Sequence, residues 1–113
     1  MSRRDPDLLL EDILECSNNI LGYTADISYD AFLANRMLVD AVVRNIEIIG
    51  EAAGRLPQEY KDKSTSVDWH KIRGLRNRII HDYFEINYDI IWTVIQSYIP
   101  ELASEINILL KNL

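Results

Sequence analysis

The chain has 113 residues, enough to bury one hydrophobic core but too few for two domains of ordinary size. Hydrophobic residues make up 48% of it and charged residues 27%, a balance that excludes an intrinsically disordered chain. The net charge of −6 excludes a protein that coats nucleic acid nonspecifically, because phosphate affinity comes from lysine and arginine.

The sequence predicts a cytoplasmic protein with one domain over residues 1–113. Its most apolar uncharged run, residues 90–100, is far shorter than the roughly 20 residues that a transmembrane helix needs. Acidic residues from Asp5 onwards interrupt the apolar region that a signal peptide would require behind the two N-terminal arginines. The single cysteine, Cys16, has no partner for an intrachain disulfide and lies on an apolar helical row, which predicts a buried thiol.

Two helices are predicted in the first half of the chain. Asp5 followed by Pro6 is a capping acid with proline at the first helical position, and it starts a helix that runs to about Tyr23. Ser28 caps a longer second helix that continues to Leu56. The apolar row of this second helix is predicted to consist of Ala31, Leu38, Ala41, Ile48 and Ala52.

The second half of the chain is predicted to contain two further helical regions. Asp68 caps a third helix after a polar connector that holds at most one short turn of helix. Asn87 caps the last region, which Pro100 should kink or split near Ile99. Because the sequence contains no sustained alternation of apolar and polar residues and no hairpin signal, strands are not expected. The predicted fold is all-α, an antiparallel bundle of four to five helices.

A polar stripe on the second helix has three interpretations. Its members are spaced by four, three and four residues and therefore share one face: Asp40, Arg44, Glu47 and Glu51. They fit surface ion pairs, a contact with a partner or second subunit, or a carboxylate metal site, although the Glu-x-x-His pattern of such sites is missing. Gly50 and Gly54 weaken the same helix by about 1 kcal/mol each, which predicts close approach by another helix.

The basic residues cluster in one window. Six of the twelve lysines and arginines lie between residues 61 and 78, against two acidic residues. By itself this window fits either a solvated helix face or a phosphate-binding surface. It ends in the stretch RNRIIHDY, residues 76–83, which adds an amide, an imidazole and a phenol to two arginines.

The spacing within RNRIIHDY has a geometric consequence. In a regular helix Asn77 and His81 lie one turn apart on one face, whereas Arg76 and His81 differ by about 140° around the axis. Arg76 and His81 can therefore meet at one atom only if the helix ends or distorts, or if a second copy of the chain contributes. A symmetric dimer in which two such helices face each other solves the problem, because each arginine then reaches the cleft between the two histidines.

Such a cleft suits the cleavage of a phosphodiester. One histidine can accept the proton of a ribose 2′-hydroxyl, a second can protonate the leaving 5′-oxygen, and arginines can stabilise the charge on the phosphoryl oxygens. Asn77 can orient the ring of His81 or bind a phosphate oxygen. This chemistry requires no metal or other cofactor.

The same residues resemble a known signature. Arg76, Asn77, His81 and Tyr83 match the R-x4-H-x-Y pattern of HEPN-domain ribonucleases, and specifically of the HepT-like toxins. The segments NIEIIGEAAGRLP, VDWHKIRGLRNRIIHDYF and IIWTVIQSYIPEL are also similar to the corresponding segments of that family. The resemblance therefore spans nearly the whole chain.

The resemblance implies a HEPN-type bundle that dimerises, with a ribonuclease site at the interface built from Arg76, Asn77 and His81 of both subunits. Family members cleave RNA, including tRNA or mRNA, without a metal and leave cyclic phosphate ends. They are encoded with an MNT-type nucleotidyltransferase antitoxin, which can transfer AMP to the motif tyrosine, here Tyr83. Negative charge attached there should repel RNA. The candidate RNA-binding residues are Lys71, Arg73 and Arg78.

The expected partners are RNA, a second copy of the chain or a higher oligomer, and the nucleotidyltransferase. An alternative is a noncatalytic HEPN-like module that docks a nucleotidyltransferase or binds a nucleotide without cutting RNA, and the overall acidity favours it. A third hypothesis is a helical metalloprotein that uses Glu47, Glu51 and His81.

Overall fold

Most of the chain is helical, as predicted. The computed structural model describes residues 4–81 and 85–113, and of His81 it describes the backbone alone. The helices are α1 (Pro6–Tyr23), α2 (Tyr29–Ala34), α3 (Arg36–Arg55), α4 (Gln58–Lys61), α5 (Trp69–Ile79), α6 (Tyr88–Thr93) and α7 (Ile99–Lys111), with a π-helical turn, Val94–Tyr98, between the last two. Two short strands, β1 (Ile80–His81) and β2 (Glu85–Ile86), lie between α5 and α6. Within the described residues, no helix is long and apolar enough to cross a membrane.

Side-chain caps explain where several helices begin. The predicted caps Ser28, Asp68 and Asn87 are confirmed, because each side-chain oxygen accepts a hydrogen bond from the N–H three residues later, at 3.0–3.1 Å. Caps of this kind contribute about 1 kcal/mol each. Asp5 precedes α1 as predicted but makes no side-chain cap with the described residues, so that Pro6 alone marks this start.

The predicted second helix is in fact two helices, α2 and α3. Asn35 separates them with an extended backbone (φ −109°, ψ 91°), and its side chain accepts a hydrogen bond from the N–H of Leu38 at 3.1 Å. Asparagine competes with the helical backbone through its own side chain. A cap of this kind inside a helical stretch therefore ends one helix and starts another.

The buried face of α3 differs from the predicted row. Ala52 is buried, but Leu38, Ala41 and Ile48 are only half-buried and Ala31, on α2, is exposed. The buried residues of α3 are Val39, Val42, Val43, Asn45, Ile46, Ile49, Ala52 and Ala53. The buried residues also recur at intervals of three and four, so α3 offers two neighbouring apolar faces, and packing against α1 and α5 determines which of them is buried.

The core lies where α1 and α3 pack against each other, with α7 against α1 and α5 against α3. Completely buried side chains from all four helices include Leu10, Ile13, Ile46, Ile49, Ile72, Leu75, Ile99 and Ile106. Burying each of them stabilises the fold by about 1.5–3 kcal/mol. Cys16 is buried with them, as predicted, and burial raises the pKa of its thiol to about 11.

The close approach predicted at the glycines of α3 is confirmed at Gly50. A Cβ atom at Gly50 would lie 3.4 Å from the carbonyl oxygen of Ile72, so that the backbones of α3 and α5 are in contact there. A Cβ atom at Gly54 would lie 3.4 Å from Nε of Arg73, which is a side-chain contact instead. The glycines therefore allow α5 to lie against α3.

The prediction that the chain contains no strands is wrong at one place. β1 and β2 pair antiparallel, with Ile80 opposite Ile86 and His81 opposite Glu85. The N–H of Asn87 also donates to a carbonyl oxygen at the end of α5, at 2.7 Å. Strands of two residues are too short to produce the alternation by which a sequence predicts them. This pairing ties the end of α5 to the start of α6.

The last helical region divides just before Pro100, as predicted. The division takes the form of the π-helical turn, in which the N–H of Ile99 bonds to the carbonyl oxygen of Val94. Pro100 is the second residue of α7, a position at which its missing N–H is not needed. The region therefore divides into α6 and α7, which the π-helical turn joins.

Candidate functional site

Helix α5 carries most of the residues of the candidate site. Its buried face consists of Ile72, Leu75 and Ile79. Its first turn is held in place because the indole N–H of Trp69 donates to two carbonyl oxygens of the preceding connector, both at 3.2 Å. Packing of the apolar face leaves the other faces of α5 to polar and basic residues.

Arg76 and Asn77 lie in the last turn of α5, and both are exposed. The salt bridges between described residues involve other arginines, namely Arg4, Arg36 and Arg55. The guanidinium group and the side-chain amide are donors of hydrogen bonds to phosphate oxygens. Both groups are therefore accessible to a phosphate ligand.

The backbone changes from helical to extended between Arg76 and His81. Helix α5 ends at Ile79. The next residue, Ile80, has an extended backbone (φ −116°, ψ 114°), and its N–H donates a hydrogen bond to the carbonyl oxygen of Arg76. His81 lies in β1, opposite Glu85. Because it is outside the helix, the separation of about 140° that a regular helix would impose between Arg76 and His81 does not apply. The side chain of His81 and all of Tyr83 lie outside the residues that the structure describes, so their roles stay predictions.

The three candidate RNA-binding residues do not lie together. Lys71 and Arg78 line one groove, on the side of α5 that faces α6 and α7. Arg73 lies on another side of the helix, beside Gly54 of α3. We call this cavity the α5–α7 groove. The residues that line it include Lys71, Arg78, Asp89, Val94, Tyr98 and Glu101. Contact of Lys71, Arg73 and Arg78 with RNA stays a prediction.

Tyr98 in this groove was not predicted as a site residue. The ammonium group of Lys71 lies 4.6 Å from the centroid of the Tyr98 ring, a cation–π contact. The Tyr98 hydroxyl is shielded from solvent and has no hydrogen-bond partner among the described residues, which costs about 1–3 kcal/mol. Burial, followed by the charge of Asp68, raises the pKa of this phenol. The apolar pattern of the last helical region predicted only that Tyr98 lies on its apolar face. No feature of the sequence predicts the contact between Lys71 and Tyr98.

The polar stripe of α3 forms exposed ion pairs, but its members do not pair with one another. Asp40 pairs with Arg36 at 3.3 Å, and Glu51 pairs with Arg55 at 2.8 Å, each one helical turn away. Exposed pairs of this kind contribute about 0.3–0.5 kcal/mol. The described side chains include no group of three or more histidine, cysteine, aspartate or glutamate residues that could hold a metal ion.

Known proteins match nearly the whole chain. The family model "Ribonuclease HepT-like" matches residues 13–109. A Methanocaldococcus jannaschii protein named "Putative RNase MJ1380" is 40% identical over 108 residues, which cover 96% of this chain and 99% of that protein. A Thermococcus cleftensis protein named "Probable ribonuclease HepT" is 32% identical over 111 residues, covering 98% of this chain and 100% of that protein. No solved structure matches the chain.

These matches cover the candidate site as well as the core. Residues 13–109 take in most of α1 and α7 and all of the elements between them. The similarity is therefore not confined to the stretch RNRIIHDY. The helical fold, the motif and the matched relatives agree, and the chain belongs to the ribonuclease HepT-like family.

Proposed function

We propose that the protein is an endoribonuclease that cuts RNA at a composite site between two copies of the chain. The imidazole of His81 accepts the proton of a ribose 2′-hydroxyl, and the 2′-oxygen forms a bond to phosphorus. The bond from phosphorus to the 5′-oxygen breaks, and the imidazolium of the partner's His81 donates its proton to that oxygen. The products are a 2′,3′-cyclic phosphate and a free 5′-hydroxyl.

Arg76 and Asn77 bind the reacting phosphate in this proposal. The guanidinium group stabilises the negative charge that builds on the phosphoryl oxygens, and the amide donates to one of these oxygens or to the His81 ring. Charge stabilisation and proton transfer are thus both supplied by side chains, so the proposed reaction proceeds without a metal. The residues proposed to bind the flanking phosphates of the RNA are Lys71, Arg73 and Arg78.

The observation that carries this proposal is the form of the C-terminal end of α5. Arg76 and Asn77 are exposed in its last turn, and the chain leaves the helix before His81. Two exposed side chains that donate hydrogen bonds, placed where the chain leaves the helix, can contact the phosphate of a ligand at this end of α5. Membership in a ribonuclease family supports the same assignment.

Incubation of the purified protein with total tRNA in EDTA tests the proposal. We expect cleavage products that end in cyclic phosphate, and we expect Arg76→Ala and His81→Ala to reduce their rate of formation by about 100-fold or more. Arg55→Ala, which removes an exposed arginine of α3, is the matched control and should cut as well as the parent protein. Intact RNA with the parent protein, or cleavage at the parent rate in both site variants, would reject ribonuclease action and favour the noncatalytic module.

A composite site also requires a dimer. Cleavage per chain should fall when the protein is diluted below the dissociation constant of the dimer, because a single copy supplies only one of the two His81 side chains. Sedimentation velocity measured over the same range of concentrations gives the fraction of dimer. Activity that stays constant while the dimer dissociates would contradict the shared site.

We further propose that the protein is the toxin of a toxin–antitoxin pair and that an MNT-type nucleotidyltransferase silences it by transferring AMP to Tyr83. Tyr83 follows His81 by two residues, so that each attached phosphate adds negative charge near the site and repels RNA. Coexpression with such an enzyme should add AMP-sized increments to the intact mass. Tyr83→Phe should lose these increments and Tyr88→Phe should keep them; increments that persist in Tyr83→Phe would contradict the assignment.

A further inference from the structure

The α5–α7 groove is a cavity that the proposed cleavage steps do not use. Its volume is about 340 Å³, at the lower end of the range for small-ligand sites, which is roughly 300–1,000 Å³. A smaller cavity of about 200 Å³ shares Lys71, Tyr98 and Glu101 with it and reaches Asp68. Arg78 lies in the last turn of α5, as Arg76 and Asn77 do. Two residues along, a helix turns by about 200°, so Arg78 and the groove lie on the side of α5 away from Arg76, one helix diameter (~10–12 Å) from it.

Two cationic side chains line the groove at different positions along the axis of α5. Lys71 and Arg78 are seven residues apart on α5, which separates them by about 10 Å along the helix axis. Asp89 lines the same groove but accepts a hydrogen bond from the hydroxyl of Tyr29, at 2.6 Å. The long side chains of Lys71 and Arg78 can thus each contact one of the two phosphates that flank a nucleotide in RNA.

The wall between the two cations is apolar and aromatic. Ile90 and Val94 form part of it, and Tyr98 at the end of the π-helical turn completes it. π-Helical turns are rare and often occur at functional sites. The Lys71 ammonium covers the Tyr98 ring at 4.6 Å. When this flexible side chain turns toward a phosphate, it uncovers a ring on which an unpaired base can stack.

We propose that the α5–α7 groove binds one nucleotide of the RNA substrate on the side of α5 away from the cleaved bond, with its flanking phosphates at Lys71 and Arg78 and its base against Tyr98. The inference rests on the proposed function, because the RNA substrate supplies the nucleotide with two phosphates. Asp89 and Glu101 offset the charges of Lys71 and Arg78, so the groove holds a free inorganic anion weakly, and their oxygens can accept hydrogen bonds from ribose hydroxyls. The groove therefore selects single-stranded RNA, whose bases are free to stack.

RNA binding without cleavage tests this inference. His81→Ala protein is mixed with a short, end-labelled, single-stranded RNA, and fluorescence anisotropy is recorded over a series of salt concentrations. In this background, Lys71→Ala and Arg78→Ala should each weaken binding about five- to tenfold and reduce the steepness of the salt dependence of log K by about 0.7. Ser97→Tyr fills the groove from an exposed position and should weaken binding without changing the salt dependence.

Two matched variants control for charge. Arg55→Ala and Lys111→Ala remove the same types of side chain from exposed positions outside the groove, and they should leave the affinity and the salt dependence nearly unchanged. Losses in these controls as large as those in Lys71→Ala and Arg78→Ala would indicate a general effect of net charge and would overturn the inference.

The outcomes also separate this inference from the proposed function. Unchanged binding in Lys71→Ala, Arg78→Ala and Ser97→Tyr would overturn the groove assignment, while RNA cleavage by the protein with His81 intact would leave the ribonuclease standing. Failure of the His81→Ala protein to bind RNA, together with failure of the parent protein to cleave it, would reject both. AMP and inorganic phosphate serve as competitors, and both should compete weakly. If AMP bound as tightly as the RNA, the groove would be a site for free nucleotides and the RNA assignment would be wrong.

Discussion

The interior between α1 and α3 and the exposed end of α5 differ in how they use their polar groups. In the interior, Ile13 and Ile46 have no exposed surface, and the hydroxyl of Ser17 donates to the carbonyl oxygen of Ile13 at 2.7 Å. At the end of α5, Arg76 and Asn77 are exposed to solvent. The difference teaches that stability resides in the first region, whereas the polar groups of the second remain available for the RNA binding proposed above. Variants in the two regions should therefore have separable effects.

The largest expected effect is on cleavage by Arg76 variants. Arg76→Ala should reduce the rate about 100- to 1,000-fold, because it removes a donor to the charged phosphoryl oxygens. The free energy of unfolding should change by less than about 0.5 kcal/mol, because the side chain is exposed. Arg76→Lys should recover only part of the rate, since it keeps the charge but loses the planar guanidinium. Cleavage assays and urea denaturation measure the two effects, and a large loss of stability would contradict the comparison.

The next largest effect is on the free energy of unfolding, and it differs between two neighbouring isoleucines of α3. Ile49 has no exposed surface, whereas Ile48, which the sequence predicted to be in the apolar row, is half-buried. Ile49→Ala should lower the free energy of unfolding by about 2–5 kcal/mol. Ile48→Ala should lower it by about 1 kcal/mol, because it removes less buried surface. Urea denaturation compares the two directly, and equal losses would contradict the observed phase of α3.

A smaller effect is the dependence of stability on pH through Cys16. Burial raises the pKa of its thiol from an ordinary 9.0 to about 11. Because the folded pKa is the higher one, this stabilisation is full below the unfolded pKa and is lost as pH rises through the folded pKa. The stability difference between the parent protein and Cys16→Ala should shrink between pH 9 and pH 11, by at most about 3 kcal/mol. Thermal denaturation over this range measures it, and a constant difference would indicate an accessible thiol.

The smallest effect concerns a glycine of α5. Gly74 has nothing within 4 Å of the position that a Cβ atom would take. Gly74→Ala should therefore raise the free energy of unfolding by up to about 1 kcal/mol, because alanine favours the helix. Gly50→Ala is the comparison and should gain less, since its Cβ would meet the carbonyl oxygen of Ile72 at 3.4 Å. A loss of stability in Gly74→Ala would indicate that the outer face of α5 is covered.

Several features of the fold were predictable because they depend on short stretches of sequence. The caps Ser28, Asp68 and Asn87 bond to the backbone three residues away, and the division before Pro100 follows from its missing N–H. The burial of Cys16 followed from the period of one helix. In each case the interaction that decides the outcome lies within a few turns of the chain.

The features that were missed have two kinds of cause. Asn35 also acts through a local cap, but its signal is hidden inside a continuous apolar pattern that favours one long helix. The contact between Lys71 and Tyr98 joins residues far apart in the sequence, and no local pattern predicts it. His81 lies in a pair of two-residue strands, which are too short to show the alternation of apolar and polar residues by which a sequence predicts a strand.

The sequence by itself determined the helical class, the starts of most helices and the concentration of basic and polar residues before position 83. These properties follow from propensities, caps and periodicity, which act between neighbours along the chain. Only the tertiary structure decided that α5 ends before His81 and that Lys71 and Arg78 face α6 and α7 while Arg73 lies against α3. The reason is physical: packing against α3 and α6 determines which sides of α5 are covered, and neither of these helices follows α5 directly in the sequence or precedes it directly.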